Sequence, residues 1–246
     1  MIRAAALAAA LVALPVAAWA EAAIRAGFEQ PAESAGYTGD WPVWSRVRVE
    51  NARTVGDGDG IFSGSAELTW HLDVDAGGFY LGDAPGVGDI NGDGRPDLVV
   101  VQHFAAQGWR VMVADLPMKD ITYLTEVRFA AAVTEVVLLG VADFDGDGRQ
   151  DIAVTAKLDG ASKLAIYRWK DGGLDMLGPF DGFAAGPVDA GPKIRICGSK
   201  PAFLAAYADP AAVVAITPSG KPDTVDFEQV AGGVTAADFA SARGCP

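Results

Sequence analysis

Two nine-residue stretches of this chain share one layout: Asp89-Ile90-Asn91-Gly92-Asp93-Gly94-Arg95-Pro96-Asp97 and Asp143-Phe144-Asp145-Gly146-Asp147-Gly148-Arg149-Gln150-Asp151. Each has an oxygen-bearing side chain at positions 1, 3, 5 and 9, and glycine at positions 4 and 6. Carboxylates this dense repel one another, and a hard cation is what would hold them together in a folded loop. Ca2+ takes oxygens from carboxylates, amides and backbone carbonyls. Glycines at 4 and 6 let the backbone curl around an ion through positive φ. Both stretches are read as calcium loops. The plain alternative, a pair of metal-free acidic hairpin turns, would be strained by its own charge.

An EF-hand begins the same way but needs a bidentate Glu at position 12 on an exiting helix. The twelfth residues here are Val100 and Val154. The last acid stands at position 9, and the β-branched runs Leu98-Val99-Val100-Val101 and Ile152-Ala153-Val154-Thr155 follow it. Gly86-Val87-Gly88 and Val136 to Ala142 precede the loops and also read as strands. The ion is therefore expected at a strand-to-strand turn.

Strand, D-x-[DN]-G-D-G-x-x-D, strand resembles the FG-GAP repeats, also called VCBS repeats, of integrin-like β-propellers. The resemblance implies one calcium loop per blade, between its first and second strands. It implies the side chains of Asp89, Asn91, Asp93 and Asp97 with the carbonyl of Arg95 as one ligand set. The second set would be Asp143, Asp145, Asp147 and Asp151 with the carbonyl of Arg149. Five protein ligands per loop leave little room for a substrate, so both ions are expected to be structural.

The loops start 54 residues apart, at 89 and 143, and a period near 50 calls for another near 195. Arg195 to Leu204 overlays on Asp89 to Val99 with one deletion, but every carboxylate has gone and Arg195 and Lys200 occupy the interior. No metal is expected there. A fourth echo, Val234 to Cys245, resembles Leu139 to Asp145 around Asp238. Strands are expected at Ala22 to Phe28, Trp44 to Glu50 and Ala66 to Asp73, and further on at Trp109 to Ala114, Thr122 to Phe129, Leu164 to Trp169 and Leu174 to Leu177. The expected fold is all-β: a small propeller of four, possibly five, blades of antiparallel strands, its ring closed by joining the N- and C-terminal strands. Closure removes exposed edges.

Residues 1–20 read as a cleaved signal peptide: Arg3, an apolar stretch from Ala4 to Ala17, and Ala18-Trp19-Ala20 as the cleavage site. Residues 21–246 then form a single propeller domain, exported to the periplasm or secreted by a bacterium. The apolar segment is short for a membrane span, and no second one follows. The whole chain carries 19 basic and 32 acidic residues. This excess of acid argues against a nucleic acid or an anionic membrane as partner. Cys197 and Cys245, an even pair in an exported chain, suggest one disulfide. Closing so long a loop is worth roughly 4 kcal/mol on a chain-entropy model.

Val55 to Gly60 looks acidic and flexible but lacks acids at the required spacing, so it reads as a hairpin turn. His71 and His103 sit in strand-like runs without partners, and no hydrolase triad is visible. The tryptophans read as blade packing, with Trp41 and Trp44 as candidates for stacking on sugar. The functional expectation is a monomeric, non-enzymatic module that binds a protein or carbohydrate through one face of the ring. The alternative is a propeller-type polysaccharide lyase or hydrolase with its site at the central channel.

Overall fold

The computed structural model describes residues 24–33, 37–56, 63–116, 121–198, 200–219, 221 and 223–245. The expected signal peptide and the acidic run at 57–60 lie outside them. Three four-stranded antiparallel units follow one another along the chain. The first is β4 (Gly78–Gly88), β5 (Asp97–Phe104), β6 (Gly108–Asp115) and β7 (Thr122–Arg128). The second is β8 (Val133–Ala142), β9 (Asp151–Leu158), β10 (Ala161–Lys170) and β11 (Gly173–Asp181). In the third, β12 (Phe183–Ala184) and β13 (Ile194–Cys197) share the inner position beside β14 (Lys200–Ala208), followed by β15 (Ala211–Pro218) and β16 (Val225–Gly232).

Alternation along the strands explains why the units stack. In β5, Val99 and Val101 enter the main core shared by all three sheets, while Leu98 and Val100 enter a second core on the opposite face. In β14, Phe203 and Ala205 face the main core, and Ala202, Leu204 and Ala206 face a third. A period of two sends successive side chains to opposite faces, so strands buried on both faces read as unbroken apolar runs. The middle sheet is covered by its two neighbours, leaving an outer face on each end sheet to be covered by something else.

Two different elements do this. The N-terminal strands β1 (Ile24–Pro31), β2 (Val43–Gly56) and β3 (Ser63–Asp73) join the first sheet through Val43↔Leu81 and Trp44↔Tyr80. They bury Val47 and Val49 against Tyr80, Leu98, Val100 and Met112. At the other end a helix, α1 (Ala236–Ala242), lays Phe239 and Ala242 on Leu204, Val213 and Ala215.

The expected all-β, antiparallel, propeller-like organisation therefore holds, with one correction. The described residues form three sheets, the first of which also takes in the three N-terminal strands, and no strand pairing among the described residues joins those strands to the third sheet. The segment around Asp238 is a helix rather than the remnant of a fourth loop. Thr235 accepts the Asp238 N–H, and the Asp238 carboxylate accepts the Thr235 N–H at 2.8 Å, a reciprocal cap that starts a helix in an Ala-rich run. The likeness to Leu139–Asp145 was carried by an Ala-Asp-Phe tripeptide that both contexts accept.

The inner strands β4, β8 and β13 come together along one line. A Cβ on Gly86 of β4 would lie 2.5 Å from Val141 of β8, and one on Gly140 of β8 would lie 2.4 Å from Ile194 of β13. Each glycine thus receives a branched side chain from the next sheet, and this close approach sets the spacing of the loops at the strand ends.

Candidate metal centre

The first acidic loop leaves β4 at Gly88 and enters β5 at Asp97; the second leaves β8 at Ala142 and enters β9 at Asp151. Both are wound by their own carboxylates. Asp89 Oδ1 accepts the N–H groups of Gly92 and Asp93 at 2.8 and 3.1 Å, and its Oδ2 accepts that of Gly94 at 2.9 Å. Asp143 does the same with Gly146 and Gly148, at 2.8 and 3.2 Å. Asn91 Oδ1 accepts the Asp93 N–H, as Asp145 Oδ1 accepts that of Asp147. The glycines at positions 4 and 6 have φ of 76° and 80° in the first loop and 81° and 90° in the second. That is the left-handed backbone the motif called for.

The last acid of each loop is the first residue of the following strand, and it is buried. Asp97 Oδ2 accepts the N–H groups of Ile90 and Asn91 at 2.9 and 3.4 Å, and Asp151 Oδ2 accepts that of Phe144 at 3.1 Å. Burial pushes the Asp97 carboxyl up to about 6, with the charges of Asp115 and Asp93 adding and the two N–H groups opposing. Burial, with the charge of Asp145, pushes Asp151 up to about 7. Asp97 Oδ1 is buried without a hydrogen-bond partner. Such an atom is costly and wants an explanation.

Among the described residues, the acids whose oxygens converge are three of the second loop. Asp143, Asp145 and Asp147 each offer a carboxylate oxygen, all within 4.8 Å of one another. The donors are oxygens only, which suits a hard cation such as Ca2+. Arg95 and Arg149 turn their guanidinium groups back onto Asp93 and Asp147 respectively. The hydrogen bond from Arg95 is the main reason Asp93 is held below the usual carboxylate range.

The two loops also touch. The Gln150 N–H donates to the Asp89 carbonyl at 2.8 Å, and a Cβ on Gly92 would lie 2.9 Å from the side chain of Arg149.

Two charged neighbours of the loops lie outside the motif and were missed in the sequence. Asp115, at the end of β6, pairs in register with Asp97, and its Oδ2 lies 3.1 Å from Arg95 Nη2. Arg168 of β10 follows Tyr167, the partner of Ile152, and so stands across from Asp151. Its Nη1 lies 3.7 Å from Asp145, and it also pairs with Asp223. Counting back along the hairpin from each position-9 acid was the signal available.

Away from the loops, Cys197 and Cys245 form a disulfide with Cα atoms 5.6 Å apart. Trp41 is buried with the ammonium of Lys193 over its ring, and Trp44, half-buried, stacks on Phe28 and donates to the Gly82 carbonyl. His103 lies against Trp109 and Phe79, and His71 lies beside Glu29. A cavity of about 490 Å³ opens where the inner strands meet, lined by Trp41, Asp83, Asp189 and Lys193 among others. Lys193 is 3% exposed and donates to the Gly191 carbonyl at 3.2 Å; burial pulls its ammonium below the ordinary lysine range.

Three antiparallel sheets in sequence, with matching acidic turns at the inner corners of the first two, define a propeller-like repeat protein. The family model for the FG-GAP repeat matches residues 81–106 and 137–167, the two segments that contain these turns, so this is an FG-GAP repeat protein. No curated protein matches the chain. Among solved structures, a rhamnogalacturonan lyase of Bacillus licheniformis, of the PL11 class, aligns at 17% identity and a TM-score of 0.39. The alignment covers 76% of this chain and 41% of the lyase, so the chain spans about two fifths of that protein's length. A likeness at that level supports no argument. Among the described residues no helix is long and apolar enough to cross a membrane.

Proposed function

We propose that the protein is an exported, calcium-stabilised binding module of the β-propeller type. One ion is held by the side chains of Asp89, Asn91, Asp93 and Asp97 and the carbonyl of Arg95. The other is held by Asp143, Asp145, Asp147 and Asp151 and the carbonyl of Arg149. Bound Ca2+ supplies charge neutralisation, which lets these loops close without repulsion; its role is structural.

The observation that carries this reading is Asp97. It is a fully buried carboxylate with one oxygen tying down the loop and the other without a protein partner, beneath a turn whose remaining donors are all oxygens. The disulfide is compatible with an oxidising compartment. The partner is a protein or a carbohydrate, bound through the surface that the sheets hold in place; the acidic composition disfavours nucleic acid. The test is the metal content of the purified protein and its melting curve with and without excess chelator. Two equivalents of Ca2+ and a large fall in Tm on chelation are expected, since a ligand that binds only the folded state stabilises it by mass action. A metal-free protein with an unchanged melting curve sinks the proposal.

One observation favours the catalytic alternative: the buried Lys193 with Asp83 and Asp189 around the axial cavity. A lysine whose ammonium is disfavoured by burial is suited to proton transfer. Release of new reducing or unsaturated ends from acidic polysaccharides, abolished in Lys193→Met, would establish that reading in place of a pure binder.

A further inference from the structure

Each of the three inner strands is interrupted. β4 slips register against β5 between Leu81 and Gly86, and β8 slips against β9 between Leu138 and Gly140. In the third sheet, β12 and β13 are parted by a segment that holds a single turn of 3-10 helix, Val188–Ala190. All three interruptions line the axial cavity of about 490 Å³. Bulges of this kind re-aim side chains and gather beside functional sites. The volume falls within the range of about 300–1,000 Å³ found for small-ligand sites. The interruptions also deliver the charges: Asp83 comes from β4, and Asp189 and Lys193 come from the segment between β12 and β13.

Lys193 is the buried cation of this cavity. An ammonium has three N–H donors. Among the described residues, that of Lys193 makes one hydrogen bond, to the Gly191 carbonyl at 3.2 Å, and the carboxylate within ion-pair reach, Asp83, is 3.9 Å away. The Trp41 ring lies 4.8 Å from it on another side. Burial disfavours its charge; Asp83 and Asp189 oppose this, and Arg243 adds to it. Two donors are left without a protein acceptor, and a buried donor without an acceptor is costly. Asp83 is half-buried and Asp189 is exposed, so the carboxylates stand nearer the mouth than the ammonium does. Arg243 stands behind the same segment, donating to the Ala190 and Pro192 carbonyls at 2.6 and 3.2 Å. With Arg243 counted, the four charges around the cavity cancel. The walls between them are apolar, with Val87, Val141 and Ile194 from the three inner strands.

We propose that the axial cavity binds a free α-amino acid with an apolar side chain, its carboxylate on Lys193 and its ammonium at Asp83 and Asp189. A ligand with a carboxylate alone would satisfy Lys193 but face Asp83 across a few ångströms. A ligand with an ammonium alone would leave the Lys193 donors as they are. A zwitterion supplies both signs and leaves the balance of the four charges unchanged. Its side chain lies against Val87, Val141 and Ile194. A uronate chain, whose charges all have one sign, fits this arrangement less well. The assignment goes beyond the calcium reading and does not rest on it. It gives Lys193 the task of holding a carboxylate, in place of the proton transfer considered above.

The experiment is calorimetric titration of the purified protein with L-leucine and L-phenylalanine, and with isocaproate and isopentylamine, which are leucine without its ammonium and without its carboxylate. L-leucine is expected to bind, and each analogue about tenfold more weakly or worse, since each leaves a charged group of the cavity unpaired. Lys193→Met should bring L-leucine down to the level of isopentylamine. Asp83→Asn combined with Asp189→Asn should bring it down to the level of isocaproate, and this rim variant carries the test if Lys193→Met does not fold. Selective loss of one discrimination with the other kept cannot come from misfolding. No binding of either amino acid by the wild type, analogues as tight as L-leucine, or discrimination unmoved in the rim variant overturns the inference. Polysaccharide cleavage that depends on Lys193 overturns it as well. A metal-free protein that still binds L-leucine overturns the calcium reading and leaves this inference standing.

Discussion

The turn from the innermost strand to its neighbour is built in two ways in this molecule. In the first two sheets it is a wide acidic loop, wound by Asp89 or Asp143 and floored by Asp97 or Asp151. In the third it shrinks to a tight turn at Gly198, with β13 pairing β14 as far as Cys197↔Lys200. The acids are absent there. Arg195 reaches Glu228 of β16 at 3.3 Å, and Cys197 is bonded to Cys245, beyond α1. A turn at the edge of a core has few apolar contacts and needs some other fastening. On the reading proposed above an ion fastens two of these corners, while a covalent bond fastens the third.

Chelation breaks the comparison most severely. Removing both ions should lower Tm by about 10 °C or more: binding far above Kd is worth about 3–4 kcal/mol per site, and each kcal/mol moves Tm by about 2–4 °C in a domain of this size. Hydrogen exchange should rise at the starts of β5 and β9 and stay unchanged at the β13–β14 turn. Opening the disulfide with Cys197→Ser and Cys245→Ser tests the opposite corner. It should cost about 2–5 kcal/mol in denaturant unfolding, raise exchange in α1, and leave calcium stoichiometry intact.

A smaller effect is expected where the sheets meet. Gly86→Ala would push a methyl group into Val141 and spread β4 from β8, the strands that carry the two loops. Overpacking of this kind costs about 1–3 kcal/mol, and calcium titration should show both sites weakened, since the loops touch through Gln150 and Asp89. The smallest change is Thr235→Ala, which removes the cap of α1 for about 1 kcal/mol. It should loosen the covering of the third sheet without touching either acidic loop; a loss of calcium affinity there would refute the independence of the two kinds of corner.

Much of this was legible in the chain. The β-branched runs flanking the motifs became β5 and β9, the alternating run Ser45–Glu50 became part of β2, and the third corner stood near residue 195 as the period required. The sheet count and the covering of the end sheets were not. The N-terminal strands, read as part of a closing blade, pair with the first sheet and pack on its outer face. An Ala-rich tail that echoed a loop motif became a helix because Thr235 and Asp238 cap each other. Short apolar runs report that a strand is buried, without reporting what buries it.

At the site itself, the order of acids and glycines was enough to specify two oxygen-lined turns, because the spacing of donors along a curled backbone is a local property. The cysteines announced their pairing by their even number. Which charged side chains face each loop from the neighbouring strands was decided only by folding. Asp115 and Arg168 are distant from the motifs in the chain and face them solely because antiparallel register sets one strand's end beside the next strand's beginning. Electrostatic strength depends on distance in space, and sequence spacing carries that information only within a single turn.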